Sequence, residues 1–349
     1  MRHIISVEQF DNQQLVESFR QADEFKEQLA TPSGRRELAG KHVGEKLLSL
    51  FYEPSTRTRL SFETAAANLG MIPISTENAR EFSSAAKGET IEDTMKVLDL
   101  FGYAMIVLRH HETGGALRAA SAVVKTPIIN GGDGKGEHPT QAMLDAYTIY
   151  RHFGRLSNLH VTIGGDLANG RTARSLAKML ARFPDNYISF ISIPELRIGE
   201  DIKEKLVESG TGFDESSDMY PALREANVVY WTRTQRERQD RPPERLTYDI
   251  VAREEITAQS DTQPRTRVTL ESVSAPTTPT TTIHPEAQLR IDPLALEVLR
   301  PDAIILHPLP RVGEISTSVD SDPRALYFEQ AGNGVPLRMA LIDQLIQNS

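Results

Sequence analysis

Ser55-Thr56-Arg57-Thr58 puts three hydroxyls and a guanidinium into four consecutive residues, just before a helical pattern. Amide N–H groups and the positive dipole end at a helix start attract anions, and an arginine fork matches phosphate oxygens. The same residues would also serve as an ordinary helix cap, so it is the apolar run before them that favours phosphate. Arg109 follows a second apolar run, and His138 precedes Pro139 at another helix start. Both side chains can donate to a polarised carbonyl oxygen, which stabilises the oxyanion formed when a nucleophile attacks carbonyl carbon. A histidine there can equally be a structural helix-start residue. Arg171 and Arg233 follow two further apolar runs, and two guanidiniums in one cleft suit a dicarboxylate.

Such groups act together only when a scaffold gathers them. The apolar runs at 46–51, 103–108, 127–129, 161–163, 187–193, 228–231 and 303–306 are mostly continuous rather than alternating. Parallel strands covered on both faces have that character. Helical spacing fills 59–69, 90–100, 139–150, 172–183 and 336–346. The alternation predicts an α/β protein whose domains are each a mostly parallel sheet flanked by helices. A chain of 349 residues has the length of two domains. The pattern restarts after 151–158, which places the domains at 1–150 and 151–327, with the final helix, 328–349, joined to the first. Ligands of open α/β sheets bind outside the carboxyl ends of strands. Six of these ends run into arginine, histidine or short hydroxyls, which predicts one anion-binding cleft between the domains.

Composition narrows the chemistry further. The chain carries a net charge of −9, which argues against a nucleic-acid footprint, and it has no cysteine for a disulfide, thiolate metal site or nucleophile. No apolar run approaches the roughly 20 residues needed to span a bilayer, and residues 1–11 lack the apolar core of a secretory signal. A cytoplasmic protein is the expectation. His110-His111 has no accompanying acidic ligand set, so no metal is expected, and Gly164-Gly165-Asp166 misses the spacing of a dinucleotide turn. The stretch from Ser83 to Thr90 reads either as a flexible linker or as a mobile loop carrying Lys87 into a cleft.

In order and spacing, three segments add to the Phe51–Glu63 stretch: Gly132–Gln141, Gly165-Asp166 through Gly170-Arg171-Thr172, and His307-Pro308-Leu309-Pro310-Arg311. With Gln330-Ala331-Gly332-Asn333-Gly334 they make the chain resemble the aspartate/ornithine carbamoyltransferase family over nearly all its length. His-Pro-Leu-Pro at 307–310 and Thr232-Arg233-Thr234-Gln235 resemble the aspartate side of that family, and a Ser-Met-Gly segment typical of the ornithine side is absent. The resemblance implies transfer of the carbamoyl group of carbamoyl phosphate to the amine of L-aspartate, without a cofactor. Carbamoyl aspartate and phosphate are the products, an early step of pyrimidine synthesis. It assigns phosphate binding to Ser55, Thr56, Arg57 and Thr58, and the carbamoyl oxygen to Thr58, Arg109 and His138. Gln141 and the carbonyls of Pro308 and Leu309 would orient the carbamoyl nitrogen. Lys87, Arg171, Arg233 and Gln235 would bind aspartate. Ser83 and Lys87 would reach a neighbouring subunit's site, making the active unit a homotrimer or a multiple of one. Residues 1–150 become the carbamoyl-phosphate domain and 151–327 the aspartate domain, and association with a regulatory chain or another pyrimidine enzyme stays open.

Two departures stand out. The 68 residues at 239–306 are more than this family segment usually carries, and the threonine-rich part at 258–284 reads compositionally as a mobile surface excursion. A passive insertion is favoured over a partner contact or a brake on loop closure, because loop entropy grows slowly with length. Gly313 stands where the family commonly has an acid. The rival readings are a transferase for a different amino acid and a catalytically silent subunit that recruits a partner.

Overall fold

The computed structural model describes residues 2–234 and 289–348. Gln235 and the 258–284 insertion lie outside the described residues. The first run of elements is α1 (Asn12–Ala30), α2 (Pro32–Ala39), β1 (Lys46–Phe51), α3 (Thr56–Asn68), β2 (Ile72–Thr76), α4 (Ala79–Phe82), α5 (Ile91–Leu98), β3 (Met105–His110), α6 (Gly115–Ala122), β4 (Ile128–Asp133) and α7 (Pro139–Phe153). The second is β5 (His160–Gly164), α8 (Arg171–Leu180), β6 (Tyr187–Ile191), α9 (Glu200–Ser209), β7 (Gly212–Ser216), α10 (Met219–Glu225), β8 (Val228–Trp231), α11 (Pro293–Val298), β9 (Ile304–Leu306) and α12 (Tyr327–Gln347).

The strands form two wholly parallel sheets, ordered β2-β1-β3-β4 and β7-β6-β5-β8-β9. Alternate side chains face opposite sides. On the first sheet Leu47, Phe51, Val107 and Ile129 join the largest core, while Leu48, Leu50, Ile106, Leu108 and Ile128 pack with Ile91, Met95 and Ala119 on the other face. On the second, Val161, Ile163, Phe190, Val228 and Leu306 join that same largest core, and Val229, Trp231 and Ile305 form a separate one with Leu223 and Ala295. The apolar side chains of α7, α8 and α12 therefore sit in one core shared by both sheets.

Two strands that apolar runs do not mark, β2 and β7, are sheet edges. None of their side chains is fully buried, so they carry no continuous hydrophobic signature. β3 and β4 run past their apolar stretches: Arg109 pairs with Phe51 in the ladder and His110 with Asp133. Arg109 thus stands on the strand itself, buried, rather than in the loop after it. The last helix starts at Tyr327 and runs through Pro336, where the spacing at 336–346 had placed its beginning. Its polar first half is held by buried side chains, with Gln330 bonded to Asp145 and Asn333 to Thr148. The helix packs against α1, α3 and α7.

The glycine pair at the end of β5 has a packing reason. Gly165 has φ 106°, and a Cβ there would collide with the backbone oxygen of Thr232. Gly165→Ala should therefore destabilise the protein by about 2–3 kcal/mol from combined strain and overlap. Urea unfolding checks this, and a loss under about 0.5 kcal/mol would contradict it.

Candidate active site

The residues expected on the phosphate side open α3. Ser55 is the N-cap in extended conformation, and its hydroxyl does not cap the helix. Thr58 is buried one turn on, whereas Arg57 is exposed enough to reach a ligand. Partial burial, and then the positive charge of Arg233, lower the Arg57 pKa from its ordinary value. Arg57 also acts electrostatically on His307, so residues following β1, β8 and β9 meet in one place.

Beside them, Glu53 joins two arginines. Its Oε1 accepts from Arg109 Nη2 at 2.7 Å and from Arg171 Nη2 at 3.2 Å. Arg109 Nη1 also donates to the Gly131 carbonyl at 3.1 Å, and Arg171 Nη1 to that of Gly134 at 2.8 Å. Gly132, with φ 114°, lies between them, and a Cβ there would come within 3.0 Å of both guanidiniums. Asp133 pins the same turn by accepting from the N–H groups of Glu137 and Gly114.

His138 stands at the start of α7, buried, with its Nε2 3.4 Å from Thr58 Oγ1. Burial, then the charges of Arg171, Arg109 and Arg338, hold its pKa well below 6.5. The ring is therefore neutral at physiological pH. Its Nδ1 is buried with no hydrogen-bond partner among the described residues.

Three residues further on, Gln141 Nε2 donates to Asp145 Oδ1 at 2.8 Å. The same carboxylate accepts from Gln330 Nε2 at 2.6 Å and Tyr230 Oη at 2.8 Å. Gln330 in turn accepts the backbone N–H of His307 at 2.8 Å. His307 Nδ1 accepts from Leu309 N–H at 2.8 Å, and its Nε2 lies 2.8 Å from Glu314. With Nδ1 accepting, the neutral ring donates through Nε2. Among the described residues, neither the Pro308 nor the Leu309 carbonyl accepts a hydrogen bond.

The structure thus brings together Thr58, Arg109, His138 and Arg171, and links Arg57 to Arg233. It does not bring Ser83 and Lys87 to them. Ser83 hydrogen-bonds Ala79 and Ala85, and Lys87 is exposed at the end of a short 3-10 turn, without an ion pair among the described residues. That 3-10 turn is a structured element, unlike the linker its small residues suggest. His110 stacks on His111 with centroids 4.5 Å apart, and its Nδ1 accepts from Glu112 N–H. No group of acidic or histidine ligands among the described residues is placed to hold a metal. Gly164 and Gly165 pack against Trp231 and Thr232, and the buried Asp166 carboxylate accepts from Asn169.

Glu53 and Asp145 are functional candidates that the motif reading passes over. Each had a signal. Glu53 directly precedes the Pro54 turn, and Asp145 is a lone acid in the apolar helical run Ala142–Ile149. It also sits four residues from Gln141, hence on the same helix face.

Residues 2–151 match the family description "Aspartate/ornithine carbamoyltransferase, carbamoyl-P binding domain", and residues 267–345 match its "Asp/Orn binding domain". The chain is 44% identical over 343 residues to an aspartate carbamoyltransferase of Arabidopsis thaliana named as chloroplastic, covering 98% of this chain and 77% of that one. It is 41% identical to an aspartate carbamoyltransferase catalytic subunit of Hyperthermus butylicus, covering 98% and 95%. Among solved structures, the catalytic subunit of M. jannaschii aspartate transcarbamoylase superposes with a TM-score of 0.80 at 34% identity, covering 100% and 99%. Trypanosoma cruzi aspartate transcarbamoylase in complex with carbamoyl aspartate and phosphate gives 0.79 at 28% identity, covering 99% and 95%. Two matched domains in the right order, and relatives aligned over almost the whole chain, place this protein in the aspartate/ornithine carbamoyltransferase family.

Proposed function

We propose that the chain transfers the carbamoyl group of carbamoyl phosphate to the amine of L-aspartate, releasing phosphate. The observation that supports this reading is that Thr58 meets a neutral His138 on which Arg109 also acts, three side chains able to donate to one oxygen. In the reaction the aspartate nitrogen forms a bond to the carbamoyl carbon, and the bond from that carbon to the phosphate oxygen breaks. The proton lost by the amine leaves with phosphate. Between these events the carbamoyl oxygen carries negative charge. Preorganised donors stabilise that charge without reorganising.

The roles are those that the family resemblance implies. Ser55, Thr56, Arg57 and Thr58 hold the phosphate at the start of α3. Arg109, His138 and Thr58 hold the carbamoyl oxygen, while Gln141, Pro308 and Leu309 orient the nitrogen. Arg171 and Arg233, with Gln235 and Lys87, take the aspartate carboxylates. Supplying Lys87 and Ser83 from a neighbouring copy fits their place away from the cluster, and a homotrimer or a multiple of it is part of the same proposal. The domain division at 1–150 plus 328–349 and at 151–327 follows the two sheets. A cytoplasmic location belongs to the reading as well, supported by a chain that needs no disulfide. The plant relatives are named chloroplastic, and among the described residues no helix is long and apolar enough to cross a membrane.

The decisive assay offers carbamoyl phosphate with aspartate or with ornithine to protein of known oligomeric mass. Carbamoyl aspartate formed by a trimer or its multiple is the expected outcome. Preference for ornithine would overturn the acceptor assignment, and no product from a folded trimer would overturn the enzyme reading. Arg109→Ala and His138→Ala should each lower turnover by ~10²–10³, the usual cost of one oxyanion donor. Near-wild-type turnover in both would remove them from the mechanism. Because burial and three arginines depress its pKa, His138 should keep the NMR shifts of a neutral ring at pH 6.5, where an unperturbed histidine is half protonated. A titration midpoint at or above 6.5 would contradict the geometry.

A further inference from the structure

Gln141 and the 307–309 turn come from opposite halves of the fold, yet both are tied to the carboxylate of Asp145. Asp145 has no exposed surface, so bulk water does not compete for its oxygens. An unprotonated carboxyl oxygen only accepts hydrogen bonds, so Gln141 and Gln330 must both turn their NH2 groups toward Oδ1. Burial pushes the Asp145 carboxyl up to about 7 against the bonds from Gln330, Tyr230 and Gln141, and Arg338 is the charged group that acts on it. Protonation does not alter the amide orientation, because the proton can sit on Oδ2, facing Tyr230, while Oδ1 still accepts.

With its NH2 turned toward Asp145, Gln141 presents its Oε1 on the opposite side of the amide. Gln330 Oε1 is occupied by the N–H of His307, which anchors the turn carrying the Pro308 and Leu309 carbonyls. All three groups assigned to the carbamoyl nitrogen thus face it as acceptors, and one acid orients the Gln141 amide while anchoring, through Gln330, the turn that bears the two carbonyls.

We propose that Asp145 is a positioning residue that fixes acceptors around the carbamoyl amino group, so that the site selects a carbonyl bearing NH2 over one bearing methyl. This rests on the reading that Gln141 faces the carbamoyl nitrogen. If the amide were free to rotate, it could turn its own NH2 toward the substrate, and the advantage of an amino group over a methyl would shrink.

The test compares kcat/KM for carbamoyl phosphate with that for acetyl phosphate, both with aspartate as acceptor. Asp145→Leu keeps the number and branching of the side-chain heavy atoms and has no acceptor. It should lower the preference for carbamoyl phosphate about tenfold or more, with inhibition by inorganic phosphate kept within about twofold. Asp145→Asn retains an acceptor at Oδ1 and should keep the preference within about threefold. A leucine variant that binds phosphate normally and keeps the full preference would overturn the proposal, as would an asparagine variant that loses it. The asparagine result decides alone if the leucine variant does not fold. Gln141→Ala separates the two levels of the argument. Preference retained there overturns the reading of Gln141 itself, whereas preference lost there but kept in Asp145→Leu overturns only the positioning role.

Discussion

The charges of Arg109, Arg171 and Arg338 all act on one buried histidine, and the site is organised around holding that much positive charge out of water. Burying unpaired charges is expensive, so each needs an anion, a carbonyl or a π-face nearby. Glu53 serves two of them with one carboxylate oxygen, and the carbonyls of Gly131 and Gly134 take further N–H groups. Arg338 lies 4.8 Å over the Phe62 ring and is attracted by Asp145, while burial lowers its pKa to about 10. It remains protonated at neutral pH. The same field makes a protonated His138 unfavourable, which leaves a neutral imidazole suited to donating a hydrogen bond rather than carrying charge.

The fold makes those pairings geometrically available. Arg109 comes from a strand of the first sheet, Arg171 from the helix that follows the first strand of the second run, and Arg338 from the last helix. Glu53 therefore ties the two sheets together across the site, next to a core that is already continuous through α7, α8 and α12. Gly132 and Gly334 allow the close approaches. A side chain at either position would meet an arginine, Arg109 and Arg171 at the first and Arg338 at the second.

Central strands were legible in the sequence because both of their faces are buried, and continuous apolar runs mark them. The edges β2 and β7 were not, since Ile72-Pro73-Ile74-Ser75-Thr76 and Gly212-Phe213-Asp214-Glu215-Ser216 need bury little. The first half of α12 was hidden for a different reason: Gly332, Gly334 and Pro336 are poor helix residues, and long-range bonds from Gln330 and Asn333 outweigh local propensity there. Candidate residues on contiguous motifs, such as Ser55 to Thr58, stand out as a pattern in the sequence. Those acting through space could not. Glu53 and Asp145 gain their meaning from partners 56 and 118 residues away in one case and 85 and 185 in the other.

A carbamoyl group has two heteroatoms of opposite hydrogen-bonding demand on one carbon, and the roles proposed for the site residues divide along the same line. On the oxygen side stand donors, Thr58, Arg109 and His138, held by a network in which cations dominate. On the nitrogen side stand acceptors, Gln141 and the Pro308 and Leu309 carbonyls, held by a network centred on an acid. His138 and Gln141 are three residues apart on α7, which places the boundary between the two networks within a single turn of one buried helix. That helix is buried over most of its length, so its polar side chains have little freedom to exchange partners. Oxygen and nitrogen are similar in size, and shape alone would distinguish them poorly. Fixed donors on one side and fixed acceptors on the other distinguish them by sign.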